Sequence, residues 1–131
     1  MAAKLGNIRT LIIDDHYFMR SIWKTMLVAM GVNKFIEATN AVEAFEALRS
    51  APCDLVIVDY HLGDLTGAEF AKLLRRSPDS ANSFVPIIAC TADAKRSIAQ
   101  KFVDAGVDEF LVKPVSPQSA WSKIHSVIEK R

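Results

Sequence analysis

Four consecutive apolar residues, Leu55-Val56-Ile57-Val58, run without alternation into a carboxylate, Asp59. Pro52 precedes the run, and Gly63 and Gly67 follow it, so the segment is short and bounded by turn residues. A run of this kind, mostly β-branched and with no polar face, suits a strand covered on both sides. In open parallel sheets the carboxyl edge of such strands is where chemistry is placed. Asp59 is then either a reactive group or a polar strand end, and the other strands decide which.

The flanking segments repeat the pattern. Residues 8–13 are an expected first strand ending in Asp14-Asp15, 34–38 a second, 85–90 a fourth ending at Thr91, and 108–112 a fifth ending at Lys113-Pro114. Between them, apolar residues fall at helical spacing. Over 16–30 these are Met19, Ile22, Trp23, Met26, Leu27 and Met30, with Gly31 as the stop. Asn40 is an expected cap for a helix whose buried stripe is Val42, Phe45, Ala47 and Leu48. Thr66 is a cap for one carrying Phe70, Leu73 and Leu74. The polar stretch 78–83 reads as a loop. A fourth helix over 94–104 stops at Gly106, and a last one opens at Pro117 with Trp121, Ile124, Val127 and Ile128 on one face. This alternation predicts an α/β fold, a five-stranded parallel sheet with five helices on both faces and right-handed crossovers.

Composition narrows the functional classes. A chain of 131 residues suits a single domain. A formal net charge of +1 offers no global attraction to nucleic acid or to an acidic membrane. No apolar run approaches the roughly 20 residues of a membrane span. Residues 1–7 hold one lysine and no apolar core, so they do not form a secretory leader. Cys53 and Cys90 lack CxxC spacing, which suggests two small buried hydrophobes in a reducing cytoplasm.

Four strands therefore end in groups able to act chemically, Asp14-Asp15, Asp59, Thr91 and Lys113, and a parallel sheet gathers them at one edge. Each alone has a bland reading. Asp14, Asp15 or Thr91 can be a helix cap, Asp59 a turn residue, and Lys113 a solvated lysine. Together the bland readings must all coincide on one rim. Carboxylates about 5 Å apart repel by roughly 3 kcal/mol at an effective dielectric near 20. Such a rim invites a proton or a hard cation, and Mg²⁺ with a few carboxylates, waters and a phosphate oxygen is the usual form. A carboxylate nucleophile, a divalent ion, an ammonium and a hydroxyl are the parts that phosphoryl transfer to aspartate requires. Neither GxxxxGK[ST] nor GxGxxG is present, so the phosphoryl group would come from another molecule.

The set Asp14-Asp15, Asp59, Thr91-Ala92 and Lys113-Pro114 resembles the response-regulator receiver domain of bacterial two-component systems, over essentially the whole chain. The stand-alone CheY-like kind is the nearest form. The resemblance implies the strand order 2-1-3-4-5 and a single receiver domain over 1–131 with no output domain. It implies Asp59 as phosphoacceptor, with Asp15, Asp59 and the backbone carbonyl of His61 holding Mg²⁺ and Asp14 nearby through water. Lys113 would bridge to the phosphoryl oxygens and Thr91 would move to hydrogen-bond them. Phe110 matches an aromatic switch that turns inward on phosphorylation, and Pro114 a proline after a cis bond. His61 and Asp93 match variable positions that tune phosphate loss, although His61 is also read as an exposed loop residue whose backbone alone matters.

The implied activity is acceptance of a phosphoryl group from a histidine kinase or a histidine phosphotransfer protein, with self-phosphorylation and self-dephosphorylation but no enzymatic turnover of other substrates. The implied output is a downstream protein bound through the surface of helix four, strand five and helix five, with no nucleic acid and no membrane insertion. That surface includes Lys95, Arg96, Gln100, Phe110 and Ser122, while Trp121 falls on the expected core stripe. Gly63 stands where the family often has proline and should loosen the loop after Asp59. Thr66 replaces a commoner acidic residue. A chemotaxis regulator, a phosphate sink, a phosphorelay intermediate and a constitutive binding module all remain open, as does a Mg²⁺-dependent phosphatase. The phosphatase is disfavoured because such enzymes usually carry a second Asp two residues after the nucleophile, where this chain has His61.

Overall fold

All five residues of Leu55–Asp59 are buried, the sequence's four apolar residues together with the carboxylate that ends them. The computed structural model, which describes residues 5–77 and 81–129, places this strand at the centre of one sheet. In chain order the elements are β1 (Arg9–Ile13), α1 (Tyr17–Ala29), β2 (Lys34–Ala38), α2 (Ala41–Ser50) and β3 (Leu55–Asp59). They continue with α3 (Gly67–Arg75), β4 (Ile87–Thr91), α4 (Arg96–Ala105), β5 (Glu109–Val112) and α5 (Pro117–Glu129). The sheet order is β2-β1-β3-β4-β5 and every pairing is parallel. This is the flavodoxin-like order expected from the sequence, and its parallel strands present all their carboxyl ends at one edge.

The period of two along β3 sorts its side chains into two cores. Val56 and Val58 join Leu11, Ile13, Phe70 and Phe102 on the side of α2, α3 and α4. Leu55 and Ile57 join Ile12, Trp23, Leu27 and Ile124 on the side of α1 and α5. Cys53 and Cys90 are free and buried, as expected, and burial pushes the Cys53 thiol up to about 11.

Three helix faces differ from the sequence reading, for one shared reason. The buried residues of α5 are Ala120, Ile124, Val127 and Ile128, which leaves Trp121 53% exposed and tilted against the His125 ring with centroids 4.0 Å apart. In α2 the buried stripe is Ala41, Ala44 and Leu48, with Val42 exposed; in α3 it is Phe70, Ala71 and Leu74, with Leu73 exposed. Ile124, Val127, Ile128, Leu48, Phe70 and Leu74 are buried as expected, and in each helix only one large residue of the expected stripe turns outward while an alanine beside it is buried. The sheet takes the alanines instead, since a small side chain lets the helix backbone come close.

Several boundaries differ from expectation by one or two residues. Pro86 has no N–H to give a neighbouring strand, and ladder pairing of β4 begins after it, at Ile87. Asp93 Oδ1 accepts from the Lys95 amide at 2.9 Å, which holds 93–95 in a turn and delays α4 to Arg96. Of the expected loop 78–83, residues 78–80 lie outside the described residues, as do 1–4 of the segment read as no leader. Among the described residues, no helix is long and apolar enough to cross a membrane.

Candidate functional site

The carboxyl ends of β1, β3, β4 and β5 bring Asp14, Asp59, Thr91 and Lys113 together. Lys113 Nζ lies 2.6 Å from Asp59 Oδ1 and 3.5 Å from Asp14 Oδ2. Both acidic side chains are more than nine-tenths buried, while Lys113 is 19% exposed and enters from the rim. Burial pushes the Asp59 carboxyl above its ordinary range; the Asp14 charge adds to this, and the Lys113 ammonium opposes it without cancelling it. Burial alone would lower Lys113, but Asp59 and Asp14 hold it above its ordinary value. The other oxygen, Asp59 Oδ2, accepts from the His61 amide at 3.3 Å.

Asp15 stands at the mouth, its side chain 43% exposed. Asp15, His61 and Gly63 share the wall of a depression of about 360 Å³ beside the rim. Thr91 is buried at the end of β4, with its hydroxyl accepting from the Asp93 amide at 3.0 Å. It therefore caps a turn, not the helix, whose N-cap is Lys95. Likewise neither Asp14 nor Asp15 caps α1; its N-cap is His16, whose amide donates to Asp14 Oδ1 at 2.9 Å. Phe110 is half-buried against Phe102, with centroids 5.8 Å apart. The Lys113-Pro114 bond is cis.

The flanking residues are arranged otherwise than a direct pair. Asp93 faces Lys95, and the His61 ring meets the Tyr60 ring edge-on at 4.8 Å; among the described residues no hydrogen bond or ion pair joins His61 to Asp93. The loop after Asp59 also departs from expectation. Gly63 adopts φ +90°, and the next residue, Asp64, accepts from the Ala41 and Val42 amides at 3.1 and 3.2 Å. The loop is thus tied to the N-terminus of α2. Thr66 caps α3 with a full capping box to Glu69, so its replacement of an acidic residue leaves the helix start intact.

Three contributors escaped the sequence reading. His16 reaches both acidic neighbours, with Nδ1 2.9 Å from Asp15 and 3.3 Å from Asp14, and the run Asp14-Asp15-His16 was the available signal. Asp64 lies in the loop after Asp59 and was not singled out. Gly67 packs so closely on the end of β3 that a Cβ there would overlap the Asp59 carbonyl oxygen. Tight helix contacts of this kind leave no signature beyond a glycine at a helix start.

The donor set fits a hard divalent ion. Asp14 and Asp59 are buried carboxylates that share one ammonium, Asp15 stands at the mouth, and three carboxylates against one lysine form an all-oxygen donor set of the kind such an ion takes.

A family model described as the response regulator receiver domain matches residues 10–125. The chain belongs to this family. It is a response regulator of two-component signalling, CheY-like in kind. The receiver is 30% identical to the chemotaxis protein CheY-3 of Vibrio cholerae over 95% of this chain and 94% of that protein. It is also 30% identical to the chemotaxis protein CheY of Pseudomonas aeruginosa, over 94% of this chain and 98% of the other. Among solved structures it is similar to CheY4 of Vibrio cholerae, at 26% identity and a TM-score of 0.82, covering 92% and 98% of the two chains. A two-component response regulator from Clostridium difficile shares the fold at 22% identity and a TM-score of 0.85, covering 95% and 98%.

Proposed function

We propose that this receiver accepts a phosphoryl group on Asp59 from the phosphohistidine of a kinase or of a phosphotransfer protein. One observation carries the reading: a buried aspartate at the end of the central strand, with an ammonium 2.6 Å from one oxygen and the same ammonium 3.5 Å from the buried Asp14 carboxylate. An Asp59 oxygen forms the new bond to phosphorus as the phosphorus–nitrogen bond breaks, and the electron pair returns to the donor imidazole. Asp14, Asp15, Asp59 and the His61 carbonyl are the residues that would hold Mg²⁺, which neutralises phosphoryl charge when bound. Lys113 exchanges part of its contact with Asp59 for the phosphoryl oxygens. The Thr91 hydroxyl leaves the Asp93 amide to donate to them.

Output follows through protein binding at α4, β5 and α5. Lys95, Arg96, Gln100 and Ser122 are exposed there, and Trp121 adds an apolar contact that the sequence reading had assigned to the core. A rearrangement of Thr91 reaches Phe110 because β4 and β5 pair at Ala89–Phe110 and Thr91–Val112. The receiver acts in the cytoplasm as a phosphoacceptor, not as an enzyme on other substrates. Chemotaxis is the pathway suggested by relatives that it matches over nearly their whole length.

Incubation with Mg²⁺ and a small phosphodonor tests the reading. Uptake of one phosphoryl group, abolished in Asp59→Asn, is the expected result. No uptake favours a constitutive binding module, and sustained release of phosphate from phosphomonoesters favours a phosphatase. Phosphate loss from His61→Ala should differ in rate from wild type; equal rates would remove the tuning role of His61.

A further inference from the structure

The Asp14-Asp15-His16 cluster does more than supply oxygens. One ligand atom from each residue lies within 4.8 Å of the others. His16 Nδ1 stands 2.9 Å from Asp15 Oδ1 and 3.3 Å from Asp14 Oδ1. An octahedral ion with bonds of about 2.1 Å has adjacent ligands about 3.0 Å apart, so both spacings are close to those of neighbouring ligands. Asp14 is oriented for this. Its Oδ1 is fixed by the His16 amide at 2.9 Å, and its Oδ2 faces Lys113.

Resting on the proposed metal site, we infer that His16 is a side-chain ligand there and shifts its preference from Mg²⁺ towards imidazole-accepting first-row ions such as Co²⁺ and Zn²⁺. Mg²⁺ takes oxygen ligands and gives up water reluctantly, so a nearby imidazole adds little to its binding. Imidazole suits Zn²⁺ and its neighbours, and one imidazole added to the three carboxylates and the His61 carbonyl still leaves an octahedral position for water or a phosphoryl oxygen. An ordinary surface ion pair between His16 and the two acids predicts no such selectivity. His61, the other histidine at the rim, lies against Tyr60 and is outside the cluster.

The test compares wild type, His16→Ala and His61→Ala as full chains, by calorimetric titration with Mg²⁺ and Zn²⁺ and by the visible absorption of bound Co²⁺. Circular dichroism checks that each variant folds. His16→Ala should weaken Zn²⁺ and Co²⁺ by about tenfold or more, change Mg²⁺ by less than about twofold, and alter the Co²⁺ spectrum. His61→Ala should leave that spectrum unchanged. Equal effects of His16→Ala on Mg²⁺ and Zn²⁺, no effect on either, or loss of the Co²⁺ signature in His61→Ala instead, would overturn the inference. Phosphate uptake on Asp59 with Mg²⁺, measured in the same variants, separates the two readings. Retained uptake with unchanged selectivity sinks only the role of His16, whereas absent ion binding and absent uptake in wild type sink both.

Discussion

Lys113 donates to Asp59 at 2.6 Å while Asp14 waits 3.5 Å away, so one ammonium holds two buried carboxylates near each other. The Asp59 carboxyl still stands above its ordinary range, because burial and the Asp14 charge outweigh the lysine. Two substitutions should therefore move it in opposite directions. Lys113→Met should raise the Asp59 pKa further, and Asp14→Asn should lower it. Carboxyl-carbon NMR titration in metal-free buffer reads both, and movement in the same direction would contradict the arrangement.

The same shift has a consequence for stability. A carboxyl whose folded pKa lies above its unfolded one favours the fold fully below the unfolded pKa, and that contribution is lost as pH rises through the folded pKa. Above the folded pKa the ionised Asp59 thus works against folding. Asp59→Asn should be more stable than wild type at pH 7 by on the order of 1 kcal/mol, with Lys113 still paired to Asp14. The gap should close as pH falls and wild-type Asp59 takes its proton. Urea midpoints of both proteins across this range check it, and a gap independent of pH would exclude the explanation.

Arg75, far from the rim, ties the end of α3 to the segments that lead into β4 and β5. Its guanidinium donates to the Ser83, Val85 and Gly106 carbonyls at 3.1, 2.6 and 3.0 Å and to Asp108 at 2.9 Å. Asp108 in turn accepts from the Ile87 amide at 2.8 Å. Arg75→Ala should cost roughly 2–3 kcal/mol by leaving partly buried carbonyls without a charged donor. Arg75→Lys should recover only part of this, because an ammonium cannot reproduce the fork. Chemical unfolding with an unchanged urea dependence measures both.

Residues that share one rim were legible in the sequence because strand ends of a parallel sheet converge whatever the helices do. Asp14, Asp59, Thr91 and Lys113 needed only the alternation of elements to be placed together. What escaped depends on distances that no periodicity encodes. Trp121 was assigned inward because it falls on the apolar stripe of its helix, but Ala120 permits the closer approach and takes that face. Gly63 was expected to loosen its loop, since its own freedom is visible in the sequence while the bonds of Asp64 to α2, 22 and 23 residues away in the chain, are not.

Gly67 sets how closely α3 can approach the strand that carries Asp59. Its amide donates to the Tyr60 carbonyl at 2.6 Å, and a Cβ would overlap the Asp59 carbonyl oxygen and lie 3.1 Å from the carbonyl carbon. Neither neighbour is a flexible side-chain end, so the backbone itself must move. Gly67→Ala should destabilise by about 1–3 kcal/mol and slow phosphate uptake on Asp59. Unaltered uptake together with unaltered stability would show that the contact relaxes freely.

Asp64 connects the His61 loop to α2. Its carboxylate accepts from the Ala41, Val42 and Leu65 amides, and these bonds hold it below its ordinary range although burial opposes them. A lowered folded pKa gives stability that is present above the unfolded pKa and lost as pH falls through the folded one. Asp64→Ala should therefore cost about 1 kcal/mol at pH 7, the usual loss for a helix-capping side chain, and less in acid. Asp64→Asn keeps an acceptor and should lose less. The proposed metal site adds a second readout, because the His61 carbonyl sits in the same loop. Asp64→Ala should weaken Mg²⁺ binding by more than its stability loss accounts for, in protein that is fully folded by circular dichroism. A stability loss with unchanged Mg²⁺ affinity would confine Asp64 to capping α2.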